Sequence, residues 1–236
     1  MIFSKSNLDV VAVASREPND RGLHGVRFEA DGTTVAGNGR MFMAVEPVNA
    51  EIAAKLAPAL AVDPDQVGVV GDGGLLLSLD VVERAIRLMT KGSAILRHAA
   101  LTQVGNRMGF TSIDAKGDPT TNAGIPRNDG YPDWRGVFRK VRGTGDGGGR
   151  VCVSRHDLIQ LLGAMEAACP DRSGFTPLFI EVSEDGHGII LRAVNVETGQ
   201  RVVGAVATLE TKGQWLVRNA WERILFGVRA VAKRLT

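Results

Sequence analysis

Four histidines, two cysteines and one glycine run are the first places to look for chemistry in this chain of 236 residues. His24, His98, His156 and His187 stand apart, and none pairs with a Cys, Asp or Glu at metal-ligand spacing. His156 falls in the first turn of a helical pattern, which predicts an exposed side chain. Cys152 alternates with Val151 and Val153 and reads as a buried strand residue. Cys169 precedes Pro170 and reads as a packing residue at a helix end. The run Gly143–Gly149, "GTGDGGG", could cradle a phosphate only with a strand before it and a helix N-terminus after it. A strand-like "RVCVS" follows instead, so the linker reading ranks above a phosphate-using enzyme. There is no serine elbow, no phosphate-loop lysine and no glycosidase-like carboxylate pair. The expectation is a non-enzyme with no metal and no cofactor.

Positive charge is better organised. On the helix predicted from Leu79, Val82, Ala85, Ile86 and Met89 form the apolar side, and Arg84, Arg87 and Lys91 line the other. On the last predicted helix, Trp221, Ile224, Leu225, Val228 and Leu235 form the apolar face, while Arg218, Arg229 and Lys233 share an edge. Such rows suit phosphate contacts. They equally suit a plain solvated surface, since every amphipathic helix needs a polar face. Two other predicted helices argue against a wholly basic surface: "SNLDVVAVASR" offers only Arg16, and "SRHDLIQLLGAMEAAC" carries Arg155 beside Asp157 and Glu166. A net charge of +2 neither demands nor excludes a nucleic-acid partner.

The elements that would position these residues repeat. "MIFSKSNLDVVAVASR" and "RVCVSRHDLIQLLGAMEAACP" each read as a short apolar strand, a serine and a helix. Ser6 and Ser154 sit where N-caps belong, with Asp9 and Asp157 three residues on. Alternating strands follow on both sides, separated by turns such as Asp31-Gly32 and Asp185-Gly186. A second strand-helix pair then appears in each half: "GLLLSLDVVERAIRLM" and "QWLVRNAWERILFGV". Gly25 to Leu79 is 54 residues and Pro177 to Asn219 is 42, a difference of 12 that nearly matches a helical insertion at 51–61. The plan is three copies of strand, helix and three strands, with the start of a fourth. It predicts an α+β fold with antiparallel sheets and helices on one face. It divides the chain into a complete domain over 1–142, a linker over 143–149 and a partial domain over 150–236.

The stretch "GYPDWRGV", Gly130 to Val137, resembles the Gly-x-Phe-Pro-Asp-Tyr-x-x-Val segment of bacterial sliding clamps, the DNA polymerase III beta subunits. "VAGNGRMF", Val35 to Phe42, is similar to a second clamp signature, with Asn38 in place of the acid. The repeat plan matches the clamp domain plan over most of the chain. What the resemblance implies is a short, divergent, phage-type relative that binds duplex DNA without sequence specificity through Arg84, Arg87, Lys91, Arg218, Arg229 and Lys233. It also implies a pocket for polymerase-type peptides lined by Gly37, Asn38, Gly39, Arg40, Pro132 and Val137, and assembly as a homo-oligomer. Gly136 replaces an arginine usual in the family, which predicts a weaker or altered pocket. The plan lacks the family's final strands and C-terminal peptide, so a complete ring protomer is not assumed. The proline-aromatic segment is expected to finish the first domain's last strand and to pack against the start of the second.

Two cysteines are too few for a disulfide framework and fit a reducing compartment. No apolar run reaches the ~18 residues that spanning a bilayer needs, and the first residues do not read as a signal peptide. A cytoplasmic location is expected. Beside the clamp-like reading stands an interaction module of the same fold that has lost DNA binding, favoured by the near-neutral charge. Salt-dependent retention on DNA separates the two.

Overall fold

The structure is a computed structural model. It describes residues 1–17, 22–60, 62–89, 94–114, 116–127, 130–136, 153–170, 177–182, 188–196 and 198–208. The first unit consists of β1 (Ile2–Ser4), α1 (Lys5–Asp9) with a 3-10 turn over Val10–Val13, β2 (Val26–Phe28), β3 (Thr34–Gly37) and β4 (Met41–Val45). An outlying helix α2 (Ala50–Leu56) and a 3-10 turn (Ala57–Leu60) precede the second unit. That unit holds β5 (Leu75–Leu77), α3 (Leu79–Leu88), β6 (His98–Val104), β7 (Arg107–Ile113) and β8 (Pro119–Gly124). Beyond the glycine run come α4 (Arg155–Ala168), β9 (Phe179–Val182), β10 (Gly188–Val194) and β11 (Arg201–Ala207).

The strands form two antiparallel sheets, and the α+β class stands. One sheet runs β1-β6-β7-β8, the other β5-β2-β3-β4-β11-β10-β9. The first two units exchange a strand. β1 of the first unit pairs with β6 of the second, and β5 of the second pairs with β2 of the first. β4 and β8 therefore hold equivalent places, each last in its three-strand set. β4 pairs onward with β11, the last strand of the third unit, so strands from both sides of the glycine run share one sheet. The run itself lies outside the described residues.

Alternation explains which face is buried. Val26, Phe28, Ala36, Met41, Met43 and Val45 point inward to the helices and join Phe3, Leu8, Leu77, Val82, Leu101 and Phe110 in the main core. α3 buries Leu79, Val81, Val82 and Ala85. α4 buries Leu161, Ala164 and Met165. Leu161 lies over Gly204 of β11, where an added Cβ would come within 2.8 Å of its methyl carbons. The helical stretch at 50–60 packs on the other face of the four-stranded sheet, where Leu60, Ala100 and Ile113 are buried together.

One expectation shifts. The first helix is capped by Ser4, not Ser6. Ser4 Oγ accepts from the Asn7 amide at 3.3 Å, and Asn7 Oδ1 accepts from the Ser4 amide at 3.1 Å. Ser6 lies inside the helix. An amide side chain serves the capping box as well as an acid does, so the box falls two residues earlier than the serine-to-acid spacing indicates. At the third unit the reading holds, and Ser154 Oγ accepts from the Asp157 amide at 3.3 Å.

Candidate nucleic-acid and peptide surfaces

Arg84 and Arg87 both lie exposed on α3, opposite its buried apolar face. The helical period places them there. Glu83 on the same helix pairs with Arg16, and exposed Asp80 opens its first turn, so the surface is mixed in charge. Lys91, Arg218, Arg229 and Lys233 lie outside the described residues. On α4, Arg155, His156 and Glu166 are exposed, His156 as expected. Cys169 is buried at the helix end, and burial pushes its thiol up to about 11, which leaves it unreactive at neutral pH. Cys152 lies outside the described residues. Among the described residues no group of His, Cys, Asp and Glu could hold a metal ion, and no helix is long and apolar enough to cross a membrane.

Gly37, Asn38, Gly39 and Arg40 come together as the β3–β4 hairpin. Asn38 Oδ1 accepts from the amides of Arg40 at 3.0 Å and Met41 at 3.1 Å, which folds the loop back on itself. Gly39 takes φ +85°, a left-handed conformation that suits glycine. At Gly37 an added Cβ would run into the Phe42 ring. The hairpin abuts the third unit, because Ala207 donates its amide to the Arg40 carbonyl at 2.8 Å. Asn38 is half-buried, and Gly39 and Arg40 are exposed.

The proline-aromatic segment reaches the same side of the sheet. Tyr131 and Trp134 pack with Leu23 on the outer face of β3 and β4, over Val35, Phe42 and Ala44. Pro132, between them, is exposed. The segment does not finish the last strand: β8 ends at Gly124, and 130–133 form no strand. A proline lacks the N–H that a ladder needs, so the aromatics cap the sheet face instead of extending it. Val137 lies outside the described residues.

One part of this surface goes beyond the motifs. Glu29, only 6% exposed, accepts from the Trp134 indole at 2.8 Å and from Arg27 Nε at 2.7 Å, with Arg135 at 3.3 Å. Arg135 also stacks on Trp134, 4.4 Å from the ring centroid. Burial alone would raise the Glu29 carboxyl, but the indole hydrogen bond and the two guanidinium groups outweigh it and hold the group below its ordinary range. The spacing Arg27-x-Glu29 on one strand face is the available sequence signal; Trp134 and Arg135 lie too far along the chain to be read as partners.

A pH effect follows. A depressed carboxylate contributes stability above the ordinary glutamate range, and that contribution is lost as pH falls through the lowered value. Glu29→Gln is expected to cost about 1–2 kcal/mol at neutral pH and to flatten the acid side of the stability curve. Chemical denaturation at several pH values, followed by circular dichroism, reads both. An unchanged acid limb in the variant would show that Glu29 is not what titrates there.

No family model matches the chain, and no curated protein sequence matches it. Solved structures do. The chain is similar to a protein described as a DNA polymerase III beta subunit from Eubacterium rectale, at 10% identity and TM-score 0.52, over 92% of this chain and 67% of that one. It is also similar to the DNA polymerase III beta subunit of Thermotoga maritima, at 8% identity and TM-score 0.53, over 92% of this chain and 66% of that one. The chain thus spans about two thirds of the length of these structures. At such identity the likeness speaks for architecture alone. The chain has the α+β fold of the sliding clamps.

Proposed function

We propose that this chain is a clamp-like, non-enzymatic DNA-associated protein that meets duplex DNA through phosphates and takes short peptides of polymerase type. In this reading it is a divergent, phage-type relative acting as a homo-oligomer in the cytoplasm. The observation that carries it is the fold: among the described residues, repeated strand-helix-three-strand units with helices on one face of antiparallel sheets, in a chain that matches the two beta-subunit structures over 92% of its length. Arg84 and Arg87 support it as two solvent-facing cations one turn apart on such a helix.

Retention on duplex DNA at increasing salt is the test. The wild type is expected to show a linear fall of log affinity with log salt, alike on unrelated sequences. Arg84→Ala with Arg87→Ala is expected to reduce the slope by about 0.9 for each phosphate no longer neutralised. Folding should be little changed, because both side chains lie off the apolar face. A double variant with the wild-type slope would remove these two residues from the DNA surface.

The second reading, an interaction module without DNA binding, is favoured by the mixed charge around Arg84, with Asp80 and Glu83 on the same helix and Glu83 paired with Arg16. A wild type that shows no salt-dependent retention even at low ionic strength selects it. The peptide surface is common to both readings. A clamp-binding peptide is expected to shift the amide resonances of Asn38, Gly39 and Arg40 and the Trp134 indole resonance. If those signals stay still, the pocket assignment at Gly37–Arg40 and Pro132 fails.

A further inference from the structure

Asn38-Gly39, at the tip of the β3–β4 hairpin, is the only Asn-Gly step in the chain. Other asparagines of the fold commit their side-chain nitrogen. Asn7 Nδ2 donates to the Glu46 carbonyl at 2.9 Å, Asn122 Nδ2 to the Val81 carbonyl at 2.6 Å and Asn195 Nδ2 to the Ala168 carbonyl at 2.7 Å. Asn38 uses the other end of its amide. Its Oδ1 accepts from the Arg40 and Met41 backbone amides at 3.0 and 3.1 Å, and among the described residues no hydrogen bond holds its Nδ2. The two bonds curl the side chain forward over the backbone that follows it, where the Gly39 nitrogen lies.

We infer that Asn38-Gly39 is a site of spontaneous modification, at which the asparagine closes onto the Gly39 nitrogen, loses ammonia and opens in water to aspartate or isoaspartate. The inference goes beyond the clamp-like reading and does not depend on it.

The chemistry balances within residues 38–41 and water. The Gly39 amide gives its proton to hydroxide, and its nitrogen bonds to Asn38 Cγ. The carbonyl electron pair moves onto Oδ1, between the two amides that already donate to it, which stabilise charge as it develops there. Collapse breaks the Cγ–Nδ2 bond, and Nδ2 leaves as ammonia after taking a proton from water. The five-membered imide is then hydrolysed. Cleavage at Cγ leaves an aspartate, and cleavage at the main-chain carbonyl leaves an isoaspartate; nothing is oxidised or reduced. Gly39 favours the closure twice. It has no Cβ to shield its nitrogen, and its backbone, at φ +85°, tolerates the rotations that ring closure needs. Either product adds a negative charge beside Arg40. The isoaspartate also lengthens the main chain at the turn, where the Asn38 amide donates to the Met41 carbonyl at 3.1 Å and the Arg40 carbonyl receives Ala207 at 2.8 Å.

The test ages the folded full chain in mildly alkaline buffer, cleaves it with trypsin and weighs the peptides. The peptide from Phe28 to Arg40 holds no other asparagine and no glutamine. It is expected to gain about 1 Da, OH for NH2, through a transient form lighter by one ammonia, and to faster rates at higher pH. The next peptide, Met41 to Lys55, is an internal control. Its Asn49 has a similar bond, Oδ1 accepting from the Glu51 amide at 2.8 Å, but is followed by Ala50 at the start of α2. It is expected to react more than about tenfold more slowly. Repeating the experiment in urea separates the hairpin from the dipeptide. Because the hairpin supplies both orientation and donors, the folded chain is expected to react at least as fast as the unfolded one. A folded chain slower by more than about tenfold would show that the hairpin protects Asn38, and overturns the proposal. So does an Asn49 that reacts as fast as Asn38. Asn38→Asp keeps an acceptor for both amides and should show no mass gain in its peptide; a gain that persists places the reaction elsewhere and equally overturns it. Retention of freshly prepared protein on DNA is read separately, so either result leaves the DNA reading where it stands.

Discussion

Phe28→Ala is expected to cost about 3–5 kcal/mol, among the largest losses available from a single side chain in this protein. Phe28 is fully buried on β2 of the seven-stranded sheet. Phe3 on β1 and Phe110 on β7 belong to the four-stranded one. The Phe28 ring lies 5.0 Å from Phe3 and 5.4 Å from Phe110, centroid to centroid, and Phe3 and Phe110 are 6.0 Å apart at 90°. The three rings therefore join the two sheets across the core. Edge-to-face pairs add to the burial term, about 0.5–1.5 kcal/mol each. A domain stable by about 5–15 kcal/mol loses a large share of that. Urea unfolding should show a lower midpoint with an unchanged slope, the sign of reduced stability without a changed unfolded state. Phe28→Leu, which keeps most of the volume, should cost markedly less. A loss below about 1 kcal/mol for the alanine variant would mean that the sheets are held by something other than this trio.

The residues of that trio are visible in the sequence as apolar strand positions, but their meeting is not. Alternation and turn chemistry place β2, β3, β4, β10 and β11, and the helical period places α3 and α4 with Arg84 and Arg87 outward. Those signals are local. The exchange of β1 and β5 between units is not local: it depends on which strand edge pairs with which, and no short window carries that. The same holds for the candidate surface. The β3–β4 hairpin is legible because asparagine and glycine dictate its turn. The Glu29 cluster is not, because Trp134 reaches it from 105 positions away. The cap at Ser4 escapes the sequence for a different reason: Asn7 fills the role usually read from an acid or glutamine, and Ser6 offers a decoy two residues on.

A second large effect is expected where the two sides of the glycine run meet. Asn7, fully buried at the start of α1, accepts from Gln200 Nε2 at 2.8 Å and donates to the Glu46 carbonyl at 2.9 Å. Gln200 also donates to Glu46 at 2.9 Å, and its Oε1 accepts from the Ser4 hydroxyl at 2.7 Å. Next to it, Asn195 donates to Ser6 Oγ at 3.0 Å and to the Ala168 carbonyl at 2.7 Å, tying α1, the β10–β11 turn and the end of α4 together. A buried polar network of this kind is strong only when every member is satisfied. Asn7→Ala strands the Ser4 amide and removes one acceptor from Gln200. At about 1–3 kcal/mol for each buried group left unpaired, a loss of about 3 kcal/mol is expected. Gln200→Ala should cost somewhat less, because Asn7 keeps its bonds to Ser4 and Glu46. The informative quantity is the double variant. Asn7 and Gln200 are 193 positions apart in sequence, so their coupling measures whether the two sides fold as one unit. Coupling of about 0.5–3 kcal/mol in a double-mutant cycle is expected, together with a single unfolding transition. Additivity within about 0.5 kcal/mol, or two transitions of which Asn7→Ala shifts only one, would make the halves independent. The hydrogen bonds at Gln200 would then decorate a junction that the β4–β11 pairing holds alone.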